Sequence, residues 1–232
     1  HRNALEVQPL LDEAQGLAQQ LGNVELHAHL LALRAHLAHG HPRDEAAAER
    51  GHAEALALWL QVGDQHAIRM GQYNLAVCAE NRRQPALARE RIDPLIAAAR
   101  DLQDWHLLSR SLNVRGNALA DMRAWPQALT DYQDCVQVAW RWTGPFDLAY
   151  GLWNMPRTLA HLRRPQDAVR LMAFAAHHWA EHLGVLDPSD RHYIRLVQRL
   201  CAPQITPASM AALWREGERL VLAQGVSLAL RP

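Results

Sequence analysis

Four alanines, Ala48, Ala88, Ala128 and Ala168, recur at a spacing of forty residues. Four arginines, Arg43, Arg83, Arg123 and Arg163, do the same. Between each arginine and its alanine lies a short turn-like stretch: "PRDEAA", "RQPALA", "RAWPQA" and "RRPQDA". The same offset aligns His52 with Ile92, Tyr132 and Met172, and Ala55 with Leu95, Cys135 and Ala175. At the far end of each unit sits a break, at Gly63, Gln103, Thr143 and Leu183, and Gly22 closes what reads as a truncated first unit. One matching column arises easily by chance, but several columns over four copies do not. Such a chain builds one supersecondary unit per repeat and buries each unit's apolar face against its neighbours.

The units are helical. Apolar residues recur at three and four, Ala, Leu, Arg, Glu and Gln dominate, and no stretch alternates long enough for a sheet. Each unit therefore reads as helix A, turn, helix B, turn, with four complete units over residues 24–184. A small residue in every copy lets two helix backbones approach, and the larger groups one and two turns on fill the groove beside it. The prediction is an all-α, right-handed superhelical solenoid of antiparallel helix pairs, residues 1–184, with a helical C-terminal cap over 185–232. In the cap, Asp187 or Ser189 starts one helix. Thr206 starts the next with Pro207 at its first position, and "AQGVSLAL" forms a last short element.

Composition narrows the function classes. A net charge of zero gives no electrostatic footprint for direct nucleic-acid binding, and every basic residue is arginine, which reads as codon bias rather than a phosphate-binding surface. Three widely spaced cysteines, Cys78, Cys135 and Cys201, argue against a disulfide framework and for a reducing, cytoplasmic setting. No apolar run reaches the length of a membrane span and the N-terminus is no signal peptide. The chain opens at His1 without methionine, so it is expected to be a fragment of something longer.

The stretch "HAHLLALRAHLAHGH" raises the question of a metal site. His27, His29, His36 and His39 fall on helix A of the first unit and His41 in its turn, and their counterparts forty residues on are not ligands. His27 and His29 point apart on a helix, and His52 stands in a core column, so these histidines read as scaffold. His178 and His182 lie one turn apart beside Glu181, without H-E-x-x-H order or an obvious third ligand. The sequence also has no phosphate loop, no dinucleotide fingerprint and no nucleophile elbow. No enzyme, metal or cofactor is expected.

One polar constellation stands out on the A helices: Tyr73 and Asn74 in the second repeat, Arg110, Asn113 and Asn117 in the third, and Tyr150, Trp153, Asn154 and Arg157 in the fourth. Stacked A helices line the concave face of a solenoid, so these nine residues are expected to form one groove for a protein, peptide or small inducer. Asn offers both a donor and an acceptor to an amide, Arg binds carboxylates with two bonds, and Tyr or Trp adds flat apolar area. Pro156 inside the fourth A helix is expected to kink it.

The columns resemble the tetratricopeptide repeat family. Leu112, Gly116, Leu119, Trp125, Ala128, Tyr132 and Cys135 match its pattern of small and large residues, with a longer period than that family's thirty-four. The resemblance implies that Asn113 and Asn117, and less closely Asn74 and Asn154, grip an extended peptide backbone. The C-terminal block is similar to the end of large bacterial transcriptional regulators that couple a signalling NTPase to such repeats. The residues that carry it are Ala175, Ala176, Trp179, Ala180, Glu181, Leu183 and Gly184, then Trp214, Gly217, Leu220 and Ser227 to Leu230. That resemblance implies a non-catalytic sensor or interaction arm, partnered by an NTPase or DNA-binding part outside this chain. The alternative is a constitutive assembly scaffold that holds a partner or a second copy as a homodimer.

Overall fold

The computed structural model describes residues 2–39 and 44–232, with side chains from residue 7 onward. His41 and Arg43 lie outside the described residues. Twelve α-helices and one π-helical turn account for the described secondary structure, and no strand occurs among these residues. The helices are α1 (Arg2–Gln20), α2 (Val24–Ala38), α3 (Glu45–Val62), α4 (Gln65–Asn81), α5 (Pro85–Asp101), α6 (Trp105–Asp121), α7 (Trp125–Val138), α8 (Pro145–His161), α9 (Pro165–His182), α10 (Pro188–Cys201), α11 (Pro207–Glu218) and α12 (Leu222–Ala229). The π-helical turn, Ala139–Thr143, follows α7. None of the helices is long and apolar enough to cross a membrane.

The forty-residue columns are core columns. Ala48, Ala88, Ala128 and Ala168 are fully buried, as are His52, Ile92, Tyr132 and Met172 one turn later and Ala55, Leu95, Cys135 and Ala175 after those. Gly116 on α6 shows why the columns need small partners: a methyl group there would sit 2.6 Å from the Tyr132 ring on α7. The turns repeat as well. Arg83, Arg123 and Arg163 all hold left-handed backbone, with φ of 58°, 61° and 62°. The opposite breaks do likewise at Gly22, Gly63, Gln103, Gly144 and Gly184.

Aspartates and asparagine close the helix starts. The side chains of Asn23, Asp44, Asp64 and Asp104 accept backbone N–H groups from the first turns of α2, α3, α4 and α6. Asp187, rather than Ser189, caps α10 through Ser189 and Asp190 N–H, and Thr206 caps α11 ahead of Pro207. Helix α8 runs on through Pro156 to His161.

The chain forms two compact units, His1–Leu95 and Ile96–Pro232, dividing within α5. In the first, α1 packs on α2, α2 on α3 and α3 on α4. Its small core gathers Ala28, Ala32, Ala55, Trp59, Ala67 and Ile68. In the second, α6 pairs with α7 and α8 with α9, while α10, α11 and α12 pack on α8 and α9. Val197, Cys201, Leu213, Val226 and Leu228 of the C-terminal block enter the same core as Leu152, Leu159, Leu171 and Phe174. Contact is closest at Gly217, where an added methyl group would meet the Arg170 carbonyl, and at Gly225, which lies against the Phe174 ring.

Candidate functional site

The constellation expected to line a groove divides between the units. Tyr73 is half-buried on α4 and its neighbour Asn74 is buried in the first unit. The other seven residues lie on α6 and α8 of the second unit, two A helices in direct contact.

There the polar groups meet one another. Arg110 Nε donates to Asp147 Oδ1 at 2.8 Å, and His106 Nδ1 lies 2.9 Å from Asp147 Oδ2. Asn154 Nδ2 donates to Asn113 Oδ1 at 3.1 Å, and Arg157 Nη2 donates to Asp121 Oδ1 at 2.8 Å. Asn117 Oδ1 accepts the Tyr132 hydroxyl at 2.7 Å, and the Asn154 carbonyl accepts the Tyr193 hydroxyl at 3.3 Å. These bonds form a polar ladder between α6 and α8, with further rungs to α7 and α10. Asp147 is buried in the first turn of α8, with the Arg110 guanidinium and the His106 ring both within hydrogen-bond distance of its carboxylate. Trp153 is 7% exposed, stacks with Tyr193 and makes a tilted contact with Trp179, so it packs the interior.

A second feature lies at the N-terminal ends of the same helices. The π-helical turn carries Trp140 and Trp142, which are 45% and 60% exposed, and Phe146 and Tyr150 on α8 are 49% and 38% exposed. Trp142 stacks on Trp105 at 5.4 Å, and Phe146 contacts Tyr150 at 5.1 Å. The Arg110 guanidinium sits over the Phe146 ring at 5.8 Å, and Tyr150 reaches Trp179 at 5.1 Å. The result is an aromatic face of two ring groups, Trp105 with Trp142 and Phe146 with Tyr150 and Trp179, the second held on one side by the Arg110–Asp147 pair. Trp140 lines a shallow cleft with Val226 and Leu230. Of the nine sequence-picked residues, only Arg110 and Tyr150 belong to this face. Sequence reasoning missed Trp142 because helical periodicity does not extend through the π-helical turn, and missed Trp105 and Phe146 because they stand at the first turns of α6 and α8, ahead of the polar stripe it followed. The crowding of "WRWTGPF" was the available signal.

The histidine-rich segment meets residues of other helices, and His52 is buried in its core column as expected. His39 caps the C-terminal end of α2, His52 lies on α3 and Cys78 on α4, and their ligand atoms all come within 4.8 Å of one another. Cys78 Sγ is 3.9 Å from His39 Nε2. Glu45 Oε2 sits 3.0 Å from His39 Nδ1, and Asn81 Nδ2 donates to Glu45 Oε2 at 3.3 Å. His52 is fully buried, and neither of its ring nitrogens has a hydrogen-bond partner. Burial pushes His52 down to about 3, with His36 and His39 adding to the effect, so the ring is neutral. Burial likewise pushes the Cys78 thiol up to about 11, helped by Glu49 and Glu45 and opposed by Arg91 and Arg82.

A third cluster, His178, Glu181 and His182, lies within one turn of α9. Burial, then His182, holds His178 below the ordinary histidine value. Compared with protein-family models and with curated proteins, the chain matches none.

Proposed function

We propose that this chain is a non-catalytic binding module, and that its second unit takes an extended segment of a partner protein on the aromatic face of α6 and α8. The observation that carries the reading is the set of exposed rings Trp142, Phe146 and Tyr150, with half-buried Trp105 stacked under Trp142 and Arg110 over Phe146. Large rings left in water at neighbouring positions are the usual mark of an interaction surface. Trp, Tyr and Arg are also the residues that most often dominate binding energy. Here their rings are braced by each other and by a buried carboxylate, so little side-chain freedom remains to be lost on binding.

The polar ladder has a different role in this reading. Arg110, Asn113, Asn117, Asn154 and Arg157 spend their hydrogen bonds on neighbouring helices and fix the spacing of α6 and α8. They set the shape of the face, and the rings supply the contact. The resemblance of the columns and of the C-terminal block supports the wider reading. In it the module is the sensor or interaction arm of a larger, NTPase-linked cytoplasmic bacterial regulator, and an occupied face shifts that regulator's conformational balance.

The test begins with a displayed random-peptide library selected on the wild-type chain. The selected peptides are then titrated against Trp142→Ser/Phe146→Ser. Peptides rich in apolar anchors are expected, with affinity falling at least about 30-fold in the double variant, the loss of one strong hot spot. Equal binding to wild type and variant, or no selected peptide at all, would remove the proposal.

A further inference from the structure

The repeat places an apolar residue at the second core column of three units, Ile92, Tyr132 and Met172, yet in the first complete unit it places His52. That histidine is 0% exposed with both ring nitrogens unpartnered. A buried polar group without a partner is costly, and an apolar residue at this column would avoid that cost altogether. Two further ligand residues stand within 4.8 Å of the ring, His39 at the C-terminal cap of α2 and Cys78 on α4. We infer that His39, His52 and Cys78 form a binding site for a divalent ion of the zinc class, held between α2, α3 and α4.

Geometry and chemistry agree on the ion. In a tetrahedral zinc site, with Zn–S about 2.3 Å and Zn–N about 2.0–2.1 Å, sulfur and nitrogen ligand atoms sit roughly 3.5 Å apart. Cys78 Sγ and His39 Nε2 are 3.9 Å apart, close to that separation without movement. A thiolate with two imidazoles suits zinc and cobalt(II) and excludes magnesium and calcium, which take oxygen ligands. On binding, the Cys78 S–H bond breaks, sulfur keeps the electron pair for the metal and the proton leaves to solvent. His39 is already oriented for the task. Glu45 Oε2, 3.0 Å from Nδ1, favours the tautomer that carries its proton there, which makes Nε2, 3.9 Å from Cys78 Sγ, the ligand atom. Asn81 donates to the same Glu45 oxygen and holds the carboxylate in place. Three protein ligands leave one position of the tetrahedron to a further donor. The site lies in the first unit and stands or falls independently of the peptide-binding face.

The chain contains 14 histidines, so the test must report on the thiolate rather than on metal uptake in general. The chelator-stripped full chain is titrated with cobalt(II) and its absorbance followed, then zinc is added in competition. Expected are the thiolate-to-cobalt charge-transfer band and the visible bands of a tetrahedral ion, saturating at one ion per chain and bleached by zinc. Cys78→Ser is expected to abolish the charge-transfer band. Glu45→Gln is expected to weaken binding about 10–100-fold, the usual cost of losing an outer hydrogen-bond partner of a ligand, and His52→Leu to weaken it more. His178→Ala/His182→Ala is expected to change nothing. Leucine at residue 52 matches the apolar character of the sister columns, and a melting curve of the stripped protein checks that the variant folds. A wild-type titration without the charge-transfer band overturns the inference. So does a band and affinity unchanged in Cys78→Ser and in His52→Leu.

Discussion

His52 and Ile92 occupy the same column in successive repeats, yet they make opposite demands on their surroundings. Ile92 needs only apolar neighbours. His52 needs a partner for its ring nitrogens and has none among the described residues. In the presence of a chelator, His52→Leu is therefore expected to stabilise the first unit by about 1–3 kcal/mol, the cost of a buried unsatisfied polar group. Urea unfolding of the two stripped proteins measures this, and a lower midpoint for the variant would contradict it. The anomaly was legible in the sequence as a histidine in an otherwise apolar column. Its neighbours were not, because the sequence reading weighed the histidines by the faces of a single helix. Cys78 lies 39 residues beyond His39, nearly one repeat, and only the packing of α2, α3 and α4 shows that the two meet.

At the scale of elements, the period located the turns and the packing explains their backbone. The arginine column marks left-handed residues at Arg83, Arg123 and Arg163, a conformation that favours glycine. Arg123 is exposed at a φ of 61°. Arg123→Gly is expected to raise stability by up to about 1 kcal/mol, the relieved strain being partly offset by the freer unfolded chain. Thermal melts decide this, and a clear loss of stability would mean that the side chain holds the turn. Helix α8 corrects a simpler expectation at Trp153 and Asn154. Helical periodicity put them on one open stripe with Tyr150. Contact with α9 and α10 buries Trp153, and Asn154 bonds to α6 and α10, which leaves Tyr150 facing solvent. Periodicity defines a stripe but cannot say which neighbour covers it.

For the molecule as a whole, the helical class, the repeat columns and the starts of α10 and α11 were all legible, because each rests on local chemistry repeated or capped in plain view. The division of the chain at Leu95 and Ile96 was not, since it falls inside a helix with no change of composition. The C-terminal block supplies core as well as cover. Val197, Cys201, Leu213 and Val226 are buried against the repeat helices, and Gly217 and Gly225 permit the close approach. Removing residues 185–232 is expected to uncover Leu171 and Phe174 and to leave the second unit aggregating or partly unfolded. Gel filtration and far-ultraviolet dichroism of the truncated chain check this, and a monomeric, fully helical product would contradict it.

Two surfaces of the second unit compete for the binding role, the aromatic face and the polar ladder. The most direct measurement is calorimetric titration of a library-selected peptide into three proteins: wild type, Trp142→Ser/Phe146→Ser, and Asn113→Ala/Arg157→Ala. Affinity lost in the first double variant and nearly kept in the second is the predicted result. Affinity kept in the first and lost in the second would return the binding role to the polar ladder and contradict the assignment made to the aromatic face.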